Sequence, residues 1–248
     1  MGLEKKDFLF LKIVSAVIHS ESADYSAEDP QIIEAAIDLS LANGTAGLVY
    51  YGLEKSREKL PENISDKLIR IRNITIMQAF ASEPKLEPLK ELIEAIKKEK
   101  LDYLVLKGLS LKKLYPLPEL RNMQDVDIFF PGRNHALADG VFKALGYSKV
   151  SGYEEDEYHT AYSKPGCYMI ESHYNLGSFG YLGASSVKSW ENGLIDSAVT
   201  ERYQNISYKL MDDDDFFVHL LIHHMNHLLS RCSNLRDRKS TRLNSSHT

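Results

Sequence analysis

Cysteine is scarce: Cys167 and Cys232 are the only two in the 248-residue chain. They stand far apart with no metal-ligand spacing, which argues against a disulfide scaffold and suits free thiols in a reducing compartment. Long apolar runs are missing as well, and no uninterrupted stretch approaches the ~18 to 20 residues needed to span a bilayer. The opening, MGLEKKDFLFLKIVSAVIHSE, places lysines ahead of an apolar run in the manner of a secretory leader. However, Asp7 opens that run, Lys12 interrupts it, and no small-residue cleavage site follows. A cytoplasmic location is therefore expected. A basic excess is also lacking: the net charge is −5, which argues against a whole-molecule electrostatic grip on nucleic acid.

What remains is an ordinary globular composition, long enough to bury a good core in one large domain or two modest ones. The first hundred residues read as helices. Apolar spacing predicts helices over 3–19, 31–42, 46–55 and 62–82, with another opening at Pro84 and burying Leu86, Leu89, Leu92, Ile93 and Ile96. Asp29-Pro30 is the expected cap-then-proline start, and Asn43-Gly44 the expected stop. Lys97, Lys98 and Lys100 suit the negative end of a helix dipole.

At Leu101 the pattern changes to alternating strands and helices. Strands are predicted over 102–106, 126–130, 147–150, 158–163 and 167–173, with a helix over 134–145. The expected division is a helical region 1–100, a core 101–210 and the start of a further helical region 211–236. The last stretch, 237–248, begins DRKSTRLNSSH and looks like the in-frame translation of a sequencing-library adapter. The natural chain is then expected to continue differently beyond Arg236.

Two stretches carry the chemistry. In YLVLKGLSLKKLYPLPELRNMQDVDIFF (103–130), a short strand turns at Lys107-Gly108 into a helix, where backbone N–H groups are available to a phosphate. Lys107 could add charge there and Ser110 a hydroxyl. Farther on, Asp125 and Asp127 project from the same side of a strand. Two carboxylates crowded on one face repel each other, and a cation beside them is the usual remedy. In CYMIESHY (167–174), Met169, Glu171 and His173 share one face of a strand while Tyr168, Ile170 and Ser172 share the other. If buried, Glu171 and His173 must be hydrogen-bonded or metal-linked. If exposed, they are a solvated sheet face, and spacing alone leaves both open.

Other features read as structural. His219, His223 and His227 share a helix face, but no glutamate follows His223 in the metalloprotease manner, and core or cleft histidines are the better reading. Asp212 to Asp215 precede that helix as caps. Glu154 to Glu157 read as a solvated hairpin loop. The glycine-rich 175–186 is either a substrate loop or a plain connection.

The run LKGLSLKKLYPLPELRNMQDVDIFF, followed by a helix, Gly146-Tyr147 and IESHYNL, resembles the uncharacterised nucleotidyltransferase family of the DNA polymerase beta-like superfamily. The matching positions are Leu106-Lys107-Gly108, Leu114-Tyr115, Arg121, Asp125, Asp127, and Glu171 with His173, and the likeness covers most of 3–236. It implies an α+β nucleotidyltransferase fold: a small mixed β-sheet between an N-terminal and a C-terminal helical region. It also implies transfer of a nucleoside monophosphate from an NTP to an acceptor hydroxyl, with release of pyrophosphate. Asp125, Asp127 and Glu171 would be the catalytic, metal-holding carboxylates for Mg²⁺ or Mn²⁺, with His173 as an accessory. Lys107, Gly108, Ser110 and Arg121 would bind the nucleotide. One departure is Leu109, which stands where the wider superfamily places serine directly after its glycine. Arg121 either neutralises the triphosphate or braces its loop by pairing with a carboxylate. The acceptor is expected to be a small molecule, peptide or protein instead of long nucleic acid. The competing readings are a non-catalytic nucleotide-binding or interaction protein that keeps the fold, and a metal-dependent phosphohydrolase.

Overall fold

The computed structural model describes residues 2–61, 64–151, 159–176 and 184–225. The chain divides into two compact units.

The first unit comprises residues 1–91, 107–126 and 165–168. It contains α1 (Lys5–Ile18), α2 (Pro30–Ala42), α3 (Ala46–Lys55), α4 (Ser65–Ser82) and the start of α5 (Leu86–Lys98). Helix α2 begins as its sequence dictates: the Asp29 carboxylate accepts from the Gln31 N–H at 2.9 Å, and Pro30, which has no N–H to leave unsatisfied, takes the first position. One apolar stripe from each of the four helices builds the core, including Ile13, Ile33, Ile37, Val49, Leu53 and Ile71. Pro84 sits in a separate 3-10 turn, Glu83–Lys85, and α5 starts after it at Leu86.

The same unit holds α6 (Leu109–Lys112) and a 3-10 turn, Pro118–Leu120. Between them the chain wraps a buried ammonium, that of Lys112, which is 3% exposed. Its Nζ donates to the carbonyls of Pro118 at 3.2 Å and Arg121 at 3.1 Å. Burial holds this amine below its ordinary pKa, against the attraction of Glu119.

The second unit comprises residues 92–106, 127–164 and 169 onward. Its centre is a five-stranded mixed sheet of order β1-β2-β5-β4-β3. The strands are β1 (Leu104–Val105), β2 (Asp125–Phe129), β3 (Ser148–Lys149), β4 (His159–Ser163) and β5 (Met169–His173). Every expected strand is present, most of them shorter than the sequence suggests. In β5 burial alternates, with Ile170 and Ser172 fully buried and Met169, Glu171 and His173 on the opposite face only partly so. In β2 the alternation is lost, because Val126 through Phe129 are all buried. Helix α7 (Asn134–Ala144) packs on the sheet through Phe142, whose ring meets Phe130, Tyr147 and Tyr162.

Sequence patterning did not lead us to expect α8 (Ala184–Gly193) or the hairpin of β6 (Val199–Tyr203) and β7 (Ile206–Leu210). A second cluster buries Leu104, Leu106, Phe129, Leu176, Leu194 and Met211. The last described helix, α9 (213–225), begins within the acidic run, with Asp213, Asp214 and Asp215 in its first turn. Asp212 caps it, its carboxylate accepting from the Asp215 N–H at 2.9 Å. Asp215 in turn accepts from the Trp190 indole at 2.6 Å and the Ser197 hydroxyl at 3.2 Å. Among the described residues no helix is long and apolar enough to cross a membrane. Glu154 to Glu157, most of the glycine-rich stretch and the adapter-like tail lie outside the described residues.

Candidate metal centre

Strands β2 and β5 are neighbours at the middle of the sheet, and each brings an acid to the same place. Their backbones are pinned there. The Leu106 N–H donates to the Asp127 carbonyl at 3.0 Å, and the Phe130 N–H donates to the His173 carbonyl at 2.8 Å. From this frame Asp127, Glu171 and His173 converge, with one potential ligand atom from each lying within 4.8 Å of the others. They form the one such group among the described residues. His173 Nε2 donates to Asp127 Oδ1 at 3.1 Å and lies 3.6 Å from Glu171 Oε2.

The three are unequally exposed. The Asp127 side chain is 1% accessible, against 13% for His173 and 16% for Glu171, so the cluster opens on the Glu171 side. Burial works against charge on the imidazole. Hydrogen bonds and attraction to Asp127 and Glu171 outweigh it, and His173 stands above its ordinary pKa. Two buried acids thus require positive charge, which the imidazole supplies in part. On β5, Glu171 and His173 are mostly enclosed and engaged, so they are not a solvated sheet face.

Two more histidines surround the cluster, neither of them foreseen. His159 is the direct cross-strand partner of His173 in the β4–β5 register, with ring centroids 5.0 Å apart. His135, in the first turn of α7, packs its ring 4.6 Å from that of Tyr174 and hydrogen-bonds the Ser172 carbonyl. Burial, followed by the nearby Lys149, holds His135 below its ordinary pKa. Only the β4–β5 register could have revealed His159, and register is not written in either strand alone.

The other expected site residues lie in the first unit: Lys107, Gly108, Ser110, Arg121 and Asp125. The boundary falls inside β2, between Val126 and Asp127. Gly108 has φ +87°, so the backbone there favours glycine; a Cβ would also stand 2.9 Å from Met123 Sδ, on a side chain flexible enough to shift. Ser110 is 1% exposed, and its Oγ has no hydrogen-bond partner among the described residues. Among the described residues Arg121 is braced by an aromatic ring: its guanidinium lies 5.8 Å from the Tyr115 ring centre, with Nη1 3.5 Å from the Tyr115 hydroxyl. His219 is a core residue, 3% exposed, with its ring 6.1 Å from that of His223, while His227 lies outside the described residues.

Fold and site together define an α+β protein with two acids and an imidazole gathered at the centre of a small mixed sheet. Residues 29–238 match the family described as uncharacterised nucleotidyltransferase, and the chain belongs to that family. Among solved structures it is similar to a Thermotoga maritima protein provisionally described as a nucleotidyltransferase. That likeness is 14% in sequence identity, over 63% of this chain and 92% of the other, with a TM-score of 0.43. No curated protein matches the chain in sequence.

Proposed function

We propose that this protein transfers a nucleoside monophosphate from an NTP to a hydroxyl of a small molecule, peptide or protein. The observation that carries the reading is the convergence of Asp127, Glu171 and His173 in a chain of nucleotidyltransferase lineage. The donor set suits a divalent cation, since carboxylate oxygens are the ligands that Mg²⁺ and Mn²⁺ accept. Asp127 and Glu171 would hold it, with Asp125 contributing from the start of the same strand as Asp127. When bound, such ions stabilise charge on the attacking and leaving oxygens of a phosphoryl displacement.

The remaining roles belong to the chain itself. Before a cation binds, His173, donating to Asp127, fixes the orientation of that carboxylate. Glu171, the most accessible of the three, is placed to take the acceptor proton. Lys107 and the Gly108 amide neutralise the triphosphate, and Gly108 is the residue that permits close backbone approach. Arg121, held over Tyr115, supplies charge to the same groups or stiffens the loop that carries them. Ser110, being enclosed, supports the turn more readily than it reaches a ligand.

The test is incubation of the purified chain with a divalent cation and each labelled NTP. Pyrophosphate release with label retained on an acceptor is the expected result. Release of inorganic phosphate alone would replace the proposal with a phosphohydrolase, and absence of NTP binding would replace it with an interaction protein.

A further inference from the structure

We infer that the cation at this centre takes His173 Nε2 as a direct ligand beside Asp127 and Glu171, so that the site selects Mn²⁺ or Co²⁺ over Mg²⁺. The inference rests on the proposed function for its setting and deepens it by naming the metal class. Its first support is the separation of the donor atoms. Nε2 stands 3.1 Å from Asp127 Oδ1 and 3.6 Å from Glu171 Oε2. Ligands about 2.1 Å from a common ion are about 3.0 Å apart at adjacent octahedral positions and about 3.4 Å apart in a tetrahedron. The two separations from Nε2 are those of neighbours in one coordination shell, and all three donor atoms lie within 4.8 Å of one another.

The second support is that the imidazole is held where it is. Its strand is pinned by the Phe130 hydrogen bond, and its ring packs against that of His159 across the β4–β5 pair. A cation settling between the two carboxylates therefore meets Nε2, whose bond to the metal replaces its N–H bond, and the displaced proton is released to solvent. Ligand chemistry then decides the selection. Mg²⁺ takes oxygen donors and keeps several waters, whereas imidazole suits first-row transition ions. A set of two carboxylates and one imidazole discriminates in favour of the latter.

The experiment uses the full chain with Mn²⁺ alone and no nucleotide. Pulsed EPR of the bound ion should show ¹⁴N coupling from one directly bound imidazole. In parallel titrations followed by thermal shift, Mn²⁺ should bind at least about tenfold more tightly than Mg²⁺, the scale on which single groups at metal sites act. In His173→Gln the ¹⁴N coupling should vanish and the Mn²⁺-to-Mg²⁺ ratio should fall toward one. An oxygen-only shell in the unaltered protein would overturn the inference, and that measurement stands even if the variant does not fold. Persistence of the ¹⁴N coupling in a folded His173→Gln would overturn it too, by assigning the nitrogen elsewhere. The two readings fail separately. Mg²⁺-supported pyrophosphate release beside an oxygen-only shell removes the imidazole ligand alone, while ¹⁴N coupling in a protein that turns over no NTP removes the transfer reading alone.

Discussion

Asp127 is the side chain on which most of the chemistry converges, and its substitution separates function from fold. Asp127→Asn keeps the shape and can still accept from His173, but it removes the charge that draws a cation. The same change at Asp125 tests whether the strand contributes both of its acids. Each should lower metal-dependent NTP turnover by about a hundredfold or more, with the melting temperature little changed. Undiminished turnover in both would end the proposal. A second residue-scale prediction concerns Glu191 in α8. It is buried and accepts from the Leu176 N–H at 2.6 Å. Burial raises its pKa above the ordinary value of 4.5, only partly opposed by that hydrogen bond. The native state thus binds the proton more tightly than the unfolded chain. The associated stability is present below pH 4.5 and is lost as pH rises through the native value. Glu191→Gln retains an acceptor and carries no charge, so its stability relative to wild type should climb above pH 4.5 and then level off. Glu191→Ala strands the Leu176 N–H and should cost about 1 to 3 kcal/mol at every pH. Urea midpoints between pH 4 and pH 7 measure both.

Among the elements, α3 gives a test that runs against local propensity. Alanine is the better helix former, and by propensity alone Gly47→Ala should gain about 1 kcal/mol. In the fold, a Cβ at Gly47 would overlap the Leu120 carbonyl oxygen, a backbone atom of the 3-10 turn that cannot rotate away. The variant should instead lose at least about 2 kcal/mol in chemical denaturation. A gain would show that the Pro118–Leu120 turn yields easily. Nothing around Gly47 in AGLVYYGLEK distinguishes it from Gly52, because the partner that makes it necessary lies some seventy residues along the chain. Lys112 belongs with it. In sequence it is one of two adjacent lysines between leucines, and only the carbonyls of Pro118 and Arg121 reveal it as the post around which a loop is wound.

For the molecule as a whole, charge is the property that acts at long range. With a net charge of −5, the expectation is that no whole-molecule attraction to a polyanion operates at physiological salt. The chain should therefore give no salt-dependent retardation of duplex DNA or RNA in a gel at micromolar concentration. A binding constant that falls steeply with added salt would refute this and move the acceptor toward nucleic acid.

The sequence by itself determined the order of the elements as far as β5, since periodicity and caps such as Asp29-Pro30 are local properties that survive without tertiary context. It also determined the acids, because the two-residue spacing of Asp125 and Asp127 and of Glu171 and His173 fixes which side chains share a face. The hairpin of β6 and β7 was open to the same reading: ISYKL alternates, with Ile206, Tyr208 and Leu210 buried, but no Gly or Pro turn announces it. What only the tertiary structure decided is which strand lies beside which. Adjacency of β2 and β5 closes a gap of more than forty residues, and it turns a pair of acids on one strand into a centre with an imidazole. The β4–β5 register then sets His159 against His173. Pairing and register are chosen by packing summed over the whole sheet, so no segment of the chain encodes them alone.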